Sequence, residues 1–446
     1  MEDTRSDAVP VSTRNLGSQT DAVAERALRR ISLRVMPYVF LLYIIAFLDR
    51  VNVGYAALQM AGDLGFSAEV FGFGAGIFFF GYVILEIPGS VIVERWSARK
   101  WIARIMISWG ILAIMMAFVK TAPQFYTVRF LLGAAEAGFF PGIIVYLSHW
   151  FRYQDRAKAV ALFMAAIPIS NLIGSPISGL LLGVHWLDQP GWRWLFIVEG
   201  IPAVILGFTT LFYLTDWPRE AKWLPEDEKQ WIIHELETEK RERKAVHQIS
   251  MWQALRHRDV LLLVGAYFFA TVGFYGLNIW LPTILKGVSG WSDLKVTMVA
   301  MIPHLAGLAG MLLIGASSDR TGERRWHAAG AILLGATGYL LVIVAGASPW
   351  LVVAAFCIVA AGADGYFPGF WPLPTAFLTE SAAAAAIGLI NSVGNLGGFV
   401  GPYILGYVRT TTNSFNIGLA LLAFSMMIGA FCVLSVRHAA GAVQRK

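Results

Sequence analysis

Charge is scarce in this chain. Asp, Glu, Lys and Arg make up 14% of its 446 residues, against 57% hydrophobic residues and a mean hydropathy of +0.61. That is too little charge to cover a soluble surface and too much Leu, Ile, Val and Phe for disorder. Cysteine is scarcer still. Cys357 and Cys432 each stand inside an apolar stretch, with no CxxC or Cys/His cluster to hold a metal, and both read as packing residues. No Gly-Lys pair occurs, which removes a Walker A phosphate loop and with it ATP as a direct driving force. HExxH and GxSxG are absent too, so intramembrane hydrolysis has no motif to rest on. No metal, cofactor or catalytic residue is expected. The first residues, about 30 of them, are polar and hold no apolar h-region, so they are expected to form a disordered cytoplasmic tail rather than a cleaved signal peptide.

What the chain has is a row of long apolar blocks. Their continuity and their glycine content fit helices rather than the short alternating strands of a membrane barrel. The runs predict twelve spans at 37–57, 70–92, 101–119, 125–148, 158–183, 194–214, 259–284, 295–316, 327–347, 350–377, 385–408 and 414–436. The excess of Lys and Arg, which in a soluble domain would suggest nucleic acid, falls between particular spans instead. Arg26, Arg29, Arg30 and Arg34 precede the first, Arg95, Arg99, Lys100 and Arg104 follow the second, Arg152, Arg156 and Lys158 follow the fourth, and Arg320, Arg324 and Arg325 follow the eighth. The positive-inside rule places both termini in the cytoplasm. Nucleic acid is not a partner on this reading; the lipid bilayer is.

The division predicted is a tail over 1–33, a six-helix bundle over 34–214, a cytoplasmic linker over 215–258, a second bundle over 259–436 and a tail over 437–446. Within the linker, Leu224 to Glu237 is charged and helix-prone, with Trp231, Ile232 and Leu236 on one face, and its charges read as a solvated surface. The two bundles echo each other. Ala135 to Gly142 in span four resembles Ala363 to Gly369 in span ten, Asn171 to Pro176 resembles Asn395 to Pro402, and the loop Glu94 to Lys100 matches Asp319 to Arg325. Three matches at the same ordinal positions argue for a duplicated, pseudo-symmetric all-α bundle.

Asp49 and Arg50 in span one, and Arg129 and Glu136 in span four, lie where a bilayer excludes charge, so they are functional candidates. Arg129 and Glu136 share a helix face, separated by roughly 10 Å along the axis, and are expected to face one cavity. The small residues around Glu136 let neighbouring helices close over it, which makes it a candidate proton acceptor. Asp49 and Arg50 point about 100° apart; Arg50 is aimed at the cavity and Asp49 toward span four. A static buried ion network is the competing reading, but such pairs stabilise a fold poorly compared with apolar packing. Two guanidinium forks near one cavity suit a carboxylate. Tyr82, Asn278, Trp371, Asn391 and Asn395 are candidates to line the pocket, with Tyr43, Tyr275 and His304 behind them. Glu86 and Glu199 read as solvated or loop-bonded groups near span ends. Asp364 is open as a further titrating site.

Taken together, the chain resembles the major facilitator superfamily over nearly its whole length. The loop signature is full at Gly315, Asp319, Arg320, Gly322, Arg324 and Arg325, and degraded after span two, where Arg95, Arg99 and Lys100 remain but Glu94 and Ser97 replace the acid and the glycine. The resemblance implies that these residues form a cytoplasmic latch. The strings Phe47 to Gly54, Trp101 to Trp109, Arg129 to Gly142, Gly191 to Gly200 and Phe370 to Pro374 look like the anion:cation symporter family, in its tartrate-transporter branch, whose neighbours carry phthalate and 4-hydroxyphenylacetate. It implies the twelve-helix fold of two six-helix bundles and substrate binding at Arg50, with Tyr82, Trp371 and an asparagine beside it. It also implies proton coupling at Asp49 with Glu136. The expected protein is a monomeric inner-membrane importer of a small organic acid anion with protons. Aromatic carboxylate symport, drug efflux by proton antiport and a transporter-like sensor are the alternatives.

Overall fold

The computed structural model describes residues 12–244, 256–378 and 380–437, all helix and connecting turn. In lipid every backbone polar group must be satisfied within the segment, which leaves helices for apolar runs of this length. The helices are α1 (Ser12–Asp63), α2 (Ala68–Arg95), α3 (Ala98–Met116), α4 (Ala122–Glu136), α5 (Phe139–Ser148), α6 (Tyr153–Met164), α7 (Ala166–Leu182), α8 (Gly191–Tyr213) and α9 (Glu226–Lys244). After the linker come α10 (Arg258–Ser289), α11 (Asp293–Thr321), α12 (Arg325–Ala345), α13 (Pro349–Gly365), α14 (Phe367–Phe370), α15 (Leu373–Phe377), α16 (Glu380–Asn395), α17 (Gly397–Thr412) and α18 (Asn416–Leu434). Among the described residues, ten stretches are long and apolar enough to cross a membrane. The charged start of α3, with Arg99, Lys100 and Arg104, and the broken pair α16 and α17 bring the spans to the expected twelve.

Four spans are broken, and they are the two pairs that the repeat relates. Span four breaks between α4 and α5 at Gly138, whose φ of 82° is a left-handed conformation open to glycine. Span ten breaks between α13 and α14, span five between α6 and α7, and span eleven between α16 and α17. The broken helices put irregular backbone at membrane depth, which lipid tolerates only where protein or a cavity surrounds it.

The halves meet along three seams: α2 against α17, its pseudo-symmetry mate α7 against α11, and α1 against α10. Gly72 and Gly406 let the first seam close: a Cβ on Gly72 would sit 2.5 Å from the Pro402 carbonyl. At the end of the bundle where α1 finishes, Gln59 bonds Asp293 at 3.0 Å, Asp293 pairs with Lys286 at 2.6 Å, and Phe71 packs edge-on against Trp280 at 5.6 Å. Deeper in, Ser175 donates to the Thr297 carbonyl and Tyr55 shares a 3.2 Å bond with His304. The Asp63 end is therefore sealed.

Two expectations are corrected at the opposite, linker end. The tail was expected to be irregular up to residue 33, but α1 already starts at Ser12, and Ala27 and Ile31 on it are fully buried. The charges of α9 are a solvated face only in part: Glu226, Asp227 and Glu237 are exposed, but Arg30 bonds Glu228 at 2.9 Å, Arg152 pairs with Glu235 at 3.2 Å, and Arg156 with Glu239 at 3.3 Å. Ile232 is fully buried behind them. The acids of α9 are matched to arginines at the ends of the first-half spans, so the helix docks instead of floating.

Candidate functional site

Between the halves lies a small, nearly closed cavity of about 40 Å³. Its walls are aromatic: Tyr43, Phe47, Tyr82 and Phe140 from the first half, Tyr267, Phe274, Tyr275, Phe367 and Trp371 from the second. Arg50, Thr271, Asn391 and Asn395 supply polarity, and Arg50 is the one charged residue among the described lining. Of the predicted pocket residues, the structure brings Arg50, Tyr82, Trp371, Asn391 and Asn395 to this cavity.

Arg50 is built into a cage. One Nη donates to Glu136, which stands at the C-terminal end of α4 just before the break at Gly138. The other Nη donates to the Tyr275 hydroxyl at 3.3 Å, across the divide between halves. The rings of Tyr82, Phe47 and Phe78 stand 5.2, 5.7 and 5.7 Å from the guanidinium carbon, close enough for cation–π attraction. Nε has no partner, nor does one cavity-lining donor, Trp371 Nε1. The cavity thus presents hydrogen-bond donors and one positive charge to whatever enters it.

Three predicted placements are corrected. Arg129 does not face the cavity. Gly133 on α4 lets the α2 backbone at Phe78 come close, and Arg129, one turn earlier, is drawn against α2, where it donates to the Ala75 carbonyl at 3.0 Å and lies over the Phe78 ring at 4.9 Å. Asn278 donates to the Phe274 carbonyl of its own helix at 2.8 Å and lies outside the cavity lining. Asp49 turns to α3 instead of span four, because the fully buried indole of Trp109 needs an acceptor. Asn52 adds a 2.9 Å bond to Asp49 and reaches on to Glu199 at 3.0 Å, with Ser178 at 3.4 Å from that carboxylate.

Glu199 and Glu86, expected as solvated or loop-bonded groups, are 7% and 4% exposed and bond to side chains of packed helices. Asn391 of the second half donates to Glu86, tying the halves together on the linker side of the cavity. The signal for Glu86 was present in its spacing: it follows Tyr82 by one helical turn on the same face.

The loop motifs are unequal. In the second half Arg324 pairs with Asp319 at 2.6 Å and Arg325 caps the Val436 carbonyl at 2.9 Å. Gly322 ends α11 with a φ of 69°, and Gly315 packs against Pro368. Arg320 is exposed. In the first half, a further acid arrives from the linker. Asp216 accepts from Ser97 at 2.6 Å and from the Arg99 amide at 2.8 Å. Lys100 remains exposed beside Trp96. Of Arg95, only the backbone is among the described residues.

A duplicated twelve-helix bundle with a charged cavity on its pseudo-symmetry axis is the geometry of a carrier, and the model of the Major Facilitator Superfamily matches residues 39–402. The chain belongs to this superfamily. It is a multi-pass membrane transporter of the secondary type and not an enzyme. Two Agrobacterium vitis proteins named for tartrate transport are 49% and 48% identical to it, over 93% and 94% of this chain and 95% and 93% of theirs. An Acinetobacter baumannii protein named a quinolone resistance transporter is 39% identical over 90% of this chain and 93% of its own length. Among solved structures, an inward-facing bacterial homolog of the human lysosomal transporter Spinster superposes with a TM-score of 0.70 at 17% identity, covering 94% of this chain and 97% of that one.

Proposed function

We propose that the protein imports an organic acid anion, a tartrate-like hydroxy acid first, by proton symport with alternating access at the plasma membrane. The observation that carries this reading is Arg50: a single cavity-lining guanidinium whose internal partner, Glu136, can be neutralised by one proton. A substrate carboxylate then takes the place of Glu136 on a planar fork that suits it. The basic span ends at the linker side favour a cytoplasmic linker and cytoplasmic termini, so the sealed Asp63 end faces outward.

In the cycle proposed, the outward-open cavity loads protons on Glu136 and on Asp49. Arg50 is released from Glu136, and the acid binds it with Tyr82, Trp371, Asn391 and Asn395 around its remaining oxygens. With the site neutral the halves rock, and the Asp63 end closes as seen here. Proton loss to the cytoplasm restores the Arg50–Glu136 pair and expels the acid. Arg129, held away from the cavity, keeps Asp49 and Glu136 in a positive field. One copy of the chain contains the whole site, which fits a monomer.

The aromatic walls favour a second reading, an aromatic carboxylate in the same site. The test is uptake of radiolabelled tartrate into proteoliposomes under an inward proton gradient, with unlabelled phthalate, 4-hydroxyphenylacetate and galactonate as competitors. Gradient-driven accumulation is the expected result, and the competitors rank the acids. No uptake of, or competition by, any acid would remove the basis of the Arg50 argument.

A further inference from the structure

Asp364 stands in the last turn of α13 as the second-half counterpart of Glu136. Each acid sits just before its span breaks, Glu136 five residues ahead of Pro141 and Asp364 four ahead of Pro368. Glu136 has an arginine. Asp364 is 3% exposed, its Oδ1 has no hydrogen-bond partner, and its Oδ2 is pressed against Gly307 of α11, where a Cβ has no room.

The elements packed around it supply no cation among the described residues. From α11 comes His304, one turn from Gly307 and already bonded to Tyr55. The following turn brings Tyr366, whose buried hydroxyl faces Thr271 of α10. Tyr267 and Tyr275 are the mid-membrane titratable groups of α10, and Tyr275 is engaged with Arg50. α12 approaches α13 through Gly335 and Ala331. A carboxylate here faces a low dielectric, the negative end of the α13 dipole and no counter-ion, whereas a neutral acid forgoes only hydrogen bonds.

We infer that Asp364 is a second proton-binding site, in the C-terminal half, which takes up its proton as α11 closes over it and the Asp63 end seals, and gives it up on the linker side before that end reopens. This rests on the proton-coupled reading proposed above. The helix that covers Asp364 is the one that seals the Asp63 end: α11 carries Thr297, which accepts from Ser175, and His304, which meets Tyr55. An ionised Asp364 needs water or a donor, and no donor meets its Oδ1 while Gly307 packs against its Oδ2. Protonation therefore favours the sealed arrangement and deprotonation favours its opening, which is the differential stability a coupled ion must exploit. Phe367, three residues on, lines the cavity.

The test is the proton-to-substrate ratio, read in proteoliposomes as the proton gradient that just balances a substrate gradient. A wild-type protein that shows no proton-driven uptake overturns the transport reading itself. Where wild type is coupled, Asp364→Asn, which keeps the shape of the protonated acid, is expected to lose one proton from the ratio while retaining substrate exchange. The limiting accumulation then falls about tenfold per pH unit of gradient. An unchanged ratio overturns the assignment. Should the variant not fold, wild type gives the answer through carbodiimide, which attacks protonated carboxyls, followed by peptide mass spectrometry at acid and at alkaline pH. Labelling of Asp364 that declines at alkaline pH supports the site; equal labelling at both, or none at either, overturns it.

Discussion

Replacing Glu136 with Gln removes the charge that holds Arg50 while keeping the shape of the side chain. In the resting protein one Nη of Arg50 is committed to Glu136 and the other to Tyr275 at 3.3 Å. An incoming carboxylate must win the first of these. A hydrogen bond to a charged group is worth about 1.5–3 kcal/mol net, so deleting the internal competitor is expected to tighten acid binding by about ten- to a hundredfold. The empty variant should lose stability, because the guanidinium, at 9% exposure, is left without its counter-ion. Bound acid should restore it, giving a larger ligand-induced rise in melting temperature than in wild type. Binding to wild type takes up a proton at Glu136 and should strengthen as pH falls; binding to Glu136→Gln should depend on pH less steeply. Calorimetry on purified protein reads affinity and pH dependence, while counterflow and uphill uptake in proteoliposomes read function. Counterflow should survive and uphill accumulation should vanish. Unchanged affinity with an unchanged pH profile, or persistent uphill accumulation, would refute the reasoning.

Three further outcomes are expected. Trp109→Phe takes the indole donor from the buried Asp49, so thermal unfolding should register a loss of about 1–3 kcal/mol, and a melting curve within error of wild type would count against the assignment. Gly72→Val places a side chain against the Pro402 carbonyl in the α2–α17 seam and should prevent the Asp63 end from closing. A cysteine placed at Gln59 should then react faster with an impermeant maleimide added from that side, while transport is lost. His149, just past the end of α5, stacks on Trp217 at 3.9 Å, and burial pushes its imidazole below the ordinary value of 6.5. The unfolded chain therefore binds a proton that the folded one refuses, so this contribution is complete above pH 6.5 and declines as pH falls below it. His149→Gln should flatten stability in that acid window, as measured by thermal melts at a series of pH values.

Span number, duplication and the buried charges were legible because a bilayer imposes length and apolarity on the chain directly. The azimuth of each side chain was not. Helical periodicity puts Arg129 and Glu136 on one face, but it does not say which neighbour covers which turn, and the close approach of α2 at Gly133 separates them into different surroundings. Asp49 is the same case: its partner Trp109 lies 60 residues away on a helix whose rotation nothing local specifies. Glu86 was misplaced because hydropathy marks where a span ends in lipid, whereas α2 continues to Arg95 and keeps Glu86 among packed helices. Asp364 stood out in the sequence as an acid at bilayer depth, yet only the structure shows it without a partner.

The unequal loops bear on how the chain may be cut. Asp216 completes the turn after α2 from a position beyond α8, and α9 clasps the arginines of the same half. A protein divided into two co-expressed pieces immediately after Tyr213 would leave the first piece without the carboxylate that accepts from Ser97 and the Arg99 amide, and without the helix that answers its basic rim. A cut placed after Lys244 keeps both. By this measure the connecting segment is the closing element of the amino-terminal repeat, and the carboxyl-terminal repeat, whose loop carries its own Asp319, is the self-sufficient partner.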